Sequence, residues 1–149
     1  MTKVVSHIVL AAALLMATAA HPGWAARKAK SRCTPPVARE AEAAIRYMTD
    51  LMIVSSTCRD TVYAEFRLRN RDAIVRYQKA MISHLRGNAN FDRWNTALAN
   101  QAASRQAGNV LLCQQAAALL QEAKAMDANA LRAYAVAHEV TDGTPSCGK

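Results

Sequence analysis

Apolar side chains recur every three to four positions through most of the chain, the spacing of one face of an α-helix. The first stripe runs through Val37, Ala41, Ala44, Ile45, Met48, Leu51 and Met52, with Arg39, Arg46 and Asp50 on the opposite side. Thr34 followed by Pro35 and Pro36 supplies a capping hydroxyl and a proline in the first turn, where its missing N–H does no harm. The pattern predicts a helix A from there to about Ser55. Glu42 and Arg46, four apart, form a surface ion pair worth about 0.3–0.5 kcal/mol.

Between Ser55 and Asp60 the chain is expected to break, because Thr57 and Asp60 have the spacing of a capping box for a new helix. The stripe continues nearly in phase, so one kinked helix is the alternative. A straight helix of about 50 residues would however be about 75 Å long, beyond a domain of this size. Helix B, about Cys58 to Arg86, presents Val62, Tyr63, Phe66, Ala73, Ile74, Tyr77 and Met81 on one face. Ala64, Leu68, Val75 and Ile82 form a second stripe nearly opposite. Two apolar faces predict a central helix packed on both sides. Gly87 closes it as a left-handed cap, and Asn88 to Asn90 form a polar turn.

Helix C, about Phe91 to Ala107, carries Phe91, Trp94, Leu98 and Ala102 and stops at Gly108-Asn109. Helix D, about Val110 to Met126, buries Leu112, Ala116, Leu119, Leu120 and Ala123. Asp127 or Asn129 caps a short helix E to about Glu139, with Leu131, Tyr134 and Ala135 inward. The segment Thr141 to Lys149 contains Gly143 and Pro145 and reads as irregular. No Gly or Pro lies between Val37 and Arg86, which argues against strands joined by tight turns. The fold class is all-α, an up-down bundle of four to five helices.

The N-terminal pattern is different. Lys3 precedes an apolar run from Ile8 to Ala20, too short to span a bilayer comfortably, followed by Pro22, Gly23 and the small-residue pattern Gly23-Trp24-Ala25. This reads as a signal peptide over residues 1–25, cleaved after Ala25, with Ala20 or Ala26 as alternative cleavage points. The mature chain then has no membrane span and is periplasmic or secreted. Residues 26–32 hold Arg27, Lys28, Lys30 and Arg32 as a basic flexible segment, and residues 33–149 form a single domain.

Removing those segments changes the charge. The whole chain is formally +8, but from Cys33 onward 14 Lys plus Arg face 11 Asp plus Glu, a net +3. Glu65 with Arg69 and Asp72 with Arg76, each four apart, are expected to pair on helix B. No aromatics interleave with the exposed arginines, so no nucleic-acid partner is expected.

Four cysteines follow the export signal, an even number that predicts two disulfides in an oxidising compartment. Cys33 and Cys58 sit at opposite ends of helix A, about 30 Å apart, against a disulfide Cα separation near 6 Å. In an up-down bundle helix C returns to the Cys58 end, which brings Cys113 beside it. The expected bridges are Cys58 with Cys113 and Cys33 with Cys147.

Catalytic signatures are absent: there is no H-E-x-x-H, no G-x-S-x-G, no glycine-rich phosphate loop and no C-x-x-C-H. No catalytic residue, metal ligand or cofactor is assigned. His84 and Asn70 fall on the same face of helix B as Phe66 and Tyr77, a candidate buried polar site. Met48 or Met52 with His138 has the arrangement of a haem clamp in an exported four-helix bundle, although Met at core spacing is more often packing.

The run Ala44-Ile45-Arg46-Tyr47-Met48-Thr49-Asp50-Leu51-Met52, Cys58, and Arg69-Asn70-Arg71-Asp72-Ala73-Ile74 resemble segments in small exported proteins of unknown function from alphaproteobacteria. The resemblance implies a helical, cysteine-paired periplasmic protein and transfers no functional residue. The expectation is a non-enzymatic envelope protein that binds a protein partner or a small ligand. The alternatives are a small periplasmic enzyme centred on His84, supported by Tyr63, Tyr77 or Asn70, and the haem-binding bundle.

Overall fold

A computed structural model describes residues 33–140 and Cys147. The expected signal peptide over residues 1–25, the expected basic segment over residues 26–32 and most of residues 141–149 lie outside the described residues. Among those described there are seven helices and no strand. Helix α1 spans Pro36–Cys58, α2 Val62–Arg69, α3 Arg71–His84, α4 Asn88–Gln106, α5 Leu112–Gln115, α6 Ala117–Ala125 and α7 Ala128–Ala137. Expected helices A, C and E correspond to α1, α4 and α7. Helices B and D are each divided in two.

Helix α1 starts one residue later than Thr34 suggests. Pro35 is its N-cap and accepts from the Ala38 and Arg39 amides at 2.9 and 3.1 Å. The helix ends where Arg59 enters the left-handed region, φ 57° and ψ 41°. A side chain with a Cβ there costs about 1 kcal/mol relative to glycine. Thr57 plays no part in capping the next helix, contrary to the expected capping box: it belongs to α1 and its hydroxyl donates to the Ile53 carbonyl at 2.8 Å. Asp60 does that work. Its carboxylate accepts from the Val62 amide at 2.9 Å and from the Ser55 hydroxyl, while Ser55 accepts from the Tyr63 amide at 3.2 Å.

The central helix is α1, not helix B. Eleven of its 23 residues are buried, among them Ala38, Ala41, Ala43 and Ala44, whose small side chains let neighbouring backbones approach on several sides. It packs against each of the other six helices. The second stripe on helix B faces outward instead, with Leu68 80% and Val75 40% exposed. Val37, assigned inward above, is also exposed. Polar residues of α1 reach solvent through ion pairs, Arg39 with Glu139, Arg46 with Glu42 and Asp50 with Arg105.

Successive segments run up and down along α1. Tyr77 of α3 reaches Glu40 while Phe66 of α2 packs on Tyr47, so α2–α3 is antiparallel to α1. Helix α4 begins at Asn88, so Asn88 to Asn90 are its first turn rather than a loop. The turn before it has Arg86 left-handed at φ 63° and Gly87 at φ 131°, a conformation only glycine adopts readily. Helix α5 returns to the end of α1, where Leu112 and Ala116 pack on Val54. Helix α7 descends again, packing the Tyr134 ring against Tyr47 at a tilt of 54°. Its N-cap is Asp127, which accepts from the Asn129 and Ala130 amides. Leu51, Phe66 and Leu131 are fully buried where these segments meet, each contributing about 1.5–3 kcal/mol.

Both expected disulfides are present. Cys33 bonds Cys147 with a Cα separation of 4.8 Å, and Cys58 bonds Cys113 at 5.6 Å. No free cysteine remains. The first bridge is accompanied by a hydrogen bond from the Cys147 amide to the Thr34 carbonyl at 3.3 Å.

Replacing Cys58 and Cys113 together by alanine is expected to lower stability by about 2–5 kcal/mol in urea denaturation, with helical circular dichroism retained at low denaturant. A loss below about 1 kcal/mol would show that packing around Val54 holds the junction without the bridge.

Candidate functional site

A cavity of about 380 Å³ opens between α1, the α2–α3 segment and α4. Each wall is a stripe at helical spacing. Helix α1 contributes Ile45, Met48, Thr49 and Met52, and α4 contributes Phe91, Asn95 and Ala99. From α2 come Tyr63 and Arg67, and from α3 Arg71, Ile74, Val75 and Gln78. The floor is core: Ile45, Met48, Thr49, Ile74 and Phe91 are all buried. The Thr49 hydroxyl donates to the Ile45 carbonyl at 2.8 Å, so its proton is already used within the helix.

The polar groups gather at the mouth. Arg67 lies over the Tyr63 ring, 5.7 Å from its centroid, and this contact orients the guanidinium while leaving its N–H edge free. Arg71 follows four residues later and makes no ion pair or hydrogen bond among the described residues. Among the described residues no Asp, Glu, His or Cys lines the cavity. Burial pushes the Tyr63 phenol upward in pKa, with Arg67 partly opposing it, so this side chain stays a neutral donor.

The residues assigned in the sequence as a buried polar site do not meet. Asn70 is 1% exposed, but His84, at the far end of α3, is exposed and lines neither this cavity nor two more open clefts among the described residues. Fourteen positions separate them, about 21 Å along a helix, too far for the two side chains to meet. Asn70 acts as a splice. Its Nδ2 donates to the Phe66 carbonyl and to the Met126 carbonyl beyond α6, both at 3.0 Å. Arg69 adds bonds to the Ala123 and Met126 carbonyls at 3.2 and 3.3 Å, so it closes the end of α6 instead of pairing with Glu65. Glu65 takes the Thr61 hydroxyl, and no Asp72–Arg76 ion pair forms among the described residues.

The supporting groups for a His84-centred enzyme are equally dispersed. Tyr63 lines the cavity, whereas Tyr77 donates to Glu40 at 3.1 Å. The haem arrangement is not assembled either. Met48 and Met52 face the cavity, but exposed His138 stacks on Tyr134 with ring centroids 4.0 Å apart. Its Nδ1 lies 2.8 Å from the Tyr134 carbonyl, which can only accept, so this nitrogen carries the proton. Among the described residues no three His, Cys, Asp or Glu side chains gather as a metal-binding group.

No protein family, curated protein or solved structure matches this chain. The functional reading therefore rests on the geometry. Sequence reasoning passed over Arg67 and Arg71, although one signal was there. Neither has an acidic residue three or four positions away, whereas Arg69 and Arg76 each do.

Two outcomes are expected. Replacing Asn70 by alanine removes the amide that joins α2 to the end of α6 and should cost about 1–3 kcal/mol in urea denaturation; an unchanged midpoint would show that Arg69 alone holds this junction. Burial, then the Glu40 carboxylate, raise the Tyr77 phenol to about 12. The folded state thus keeps a proton that the unfolded chain releases near pH 10, and the associated stability, complete below about pH 10, is lost as pH rises toward 12. Tyr77→Phe should flatten the fall in urea midpoint across that window, and an unaltered slope would contradict this.

Proposed function

We propose that the protein is an exported, disulfide-stapled binding protein of the cell envelope that holds a small molecule between α1, α3 and α4. The observation that carries this reading is the cavity itself. Its volume of about 380 Å³ lies within the range of about 300–1,000 Å³ typical of small-molecule sites. It also combines an apolar floor with a few convergent polar groups, as such sites do.

Binding, rather than catalysis, follows from the lining. A general base near neutral pH needs a His, a carboxylate or a perturbed Lys or Cys within reach of substrate, and the cavity has none of them. Export is supported by the two disulfides and by the apolar run after Lys3. No helix among the described residues is long and apolar enough to cross a membrane.

The test uses the oxidised protein and a neutral solvatochromic dye, Nile red, displaced by decanol. Saturable one-to-one binding is expected. Ala99→Phe, which fills the cavity from the α4 side, should weaken it at least about tenfold while leaving circular dichroism unchanged. A Val110→Phe control at an exposed position outside the cavity should bind like the parent. Equal binding by Ala99→Phe and the parent, or no saturable binding at all, would overturn the reading.

A further inference from the structure

We infer that the ligand is a single-chain organic anion, with a carboxylate, sulfate or phosphate head held by Arg67 and Arg71 and an apolar body lying over Met48, Met52 and Phe91. This rests on the binding reading above and names the chemistry of the same cavity.

Three observations carry it. Arg67, from α2, and Arg71, from α3, both line the cavity and place two positive charges at its mouth. Among the described residues neither makes an ion pair, and no carboxylate lines the cavity to offset them. An anion seated between them offsets both charges and gains charge-assisted hydrogen bonds from two forked guanidinium groups. Second, the contact between Arg67 and the Tyr63 ring presets one of the two forks, so less side-chain entropy is lost on binding.

Third, the polarity is graded. The mouth carries Arg67, Arg71, Gln78 and Asn95, while the floor is Met, Ile and Phe. A fully polar anion would leave that floor wet, and a neutral hydrocarbon would leave the arginines unanswered. The limited volume admits one chain and not a two-chain lipid.

The experiment compares decanoate, decyl sulfate, decyl phosphate, decanol and decylammonium as competitors of Nile red. The three anions are expected to compete at least about tenfold more strongly than decanol, and decylammonium least. Arg67→Gln and Arg71→Gln should each reduce the anions' advantage about tenfold and leave decanol unchanged. Arg71→Lys should restore part of it, since it keeps the charge and loses the fork. Both arginines are exposed, so these variants should fold.

Equal competition by decanoate and decanol in the parent would overturn the anion while leaving the cavity as a binding site. An anion preference that survives the double variant Arg67→Gln, Arg71→Gln would overturn the assignment to these residues. If no competitor displaces the dye and Ala99→Phe has no effect on it, the binding reading itself fails.

Discussion

Helix α1 buries residues from Ala38 to Ser55 against all six other helices and is held covalently near both ends. Cys58 is its last residue, Cys33 precedes it by three, and each bonds a distant part of the chain. At 1.5 Å per residue the two bridges are about 35 Å apart, so they act as separate clamps on one axis. Every other helix is placed by its relation to that axis. The alanines of α1 let the neighbours close around it, and the charged residues that remain are led outward to Glu139 and Arg105.

The cavity is a consequence of how three neighbours share this axis. The chain turns at Asn70, whose amide binds the end of α6, so α2 leans toward α6 while α3 stays on α1. Helix α4, entering through the glycine turn at Gly87, packs on α1 from another side. Between them lies a space that Ala99 and Thr49 are too small to fill. Tyr63 and Arg67 at the end of the bent segment form its rim. The same residue that secures the junction thus sets the angle of the wall, which links stability at Asn70 to the shape of the site.

Much of the fold was legible in the residue pattern. Apolar spacing located α1, α4 and α7 and most of their inward residues, and helix length together with an up-down course fixed both disulfides. The two extra breaks were not legible, for different reasons. Asn70 is a poor helix former, yet its decisive partner is a carbonyl 56 positions away. Ala116 is a strong helix former, and its turn follows from the bridge at Cys113 and the packing of Leu112 on Val54. Periodicity also could not say which amphipathic helix is central. Helix B has two apolar stripes but leaves Leu68 and Val75 of the second exposed, whereas the small alanines of α1 let all six other helices pack on it. The site was least visible, because it is built from three helices and its defining property is missing carboxylates rather than a motif.

The bond between Cys33 and Cys147 makes the domain a closed covalent ring, with the second bridge as a chord across it. Its two ends meet within 4.8 Å. A proteolytic cut at any exposed turn on this ring, such as Gly108-Asn109, opens the loop without releasing a fragment. The first cleavage leaves one molecule, still tied around α1, and only a further cut or reduction can take it apart.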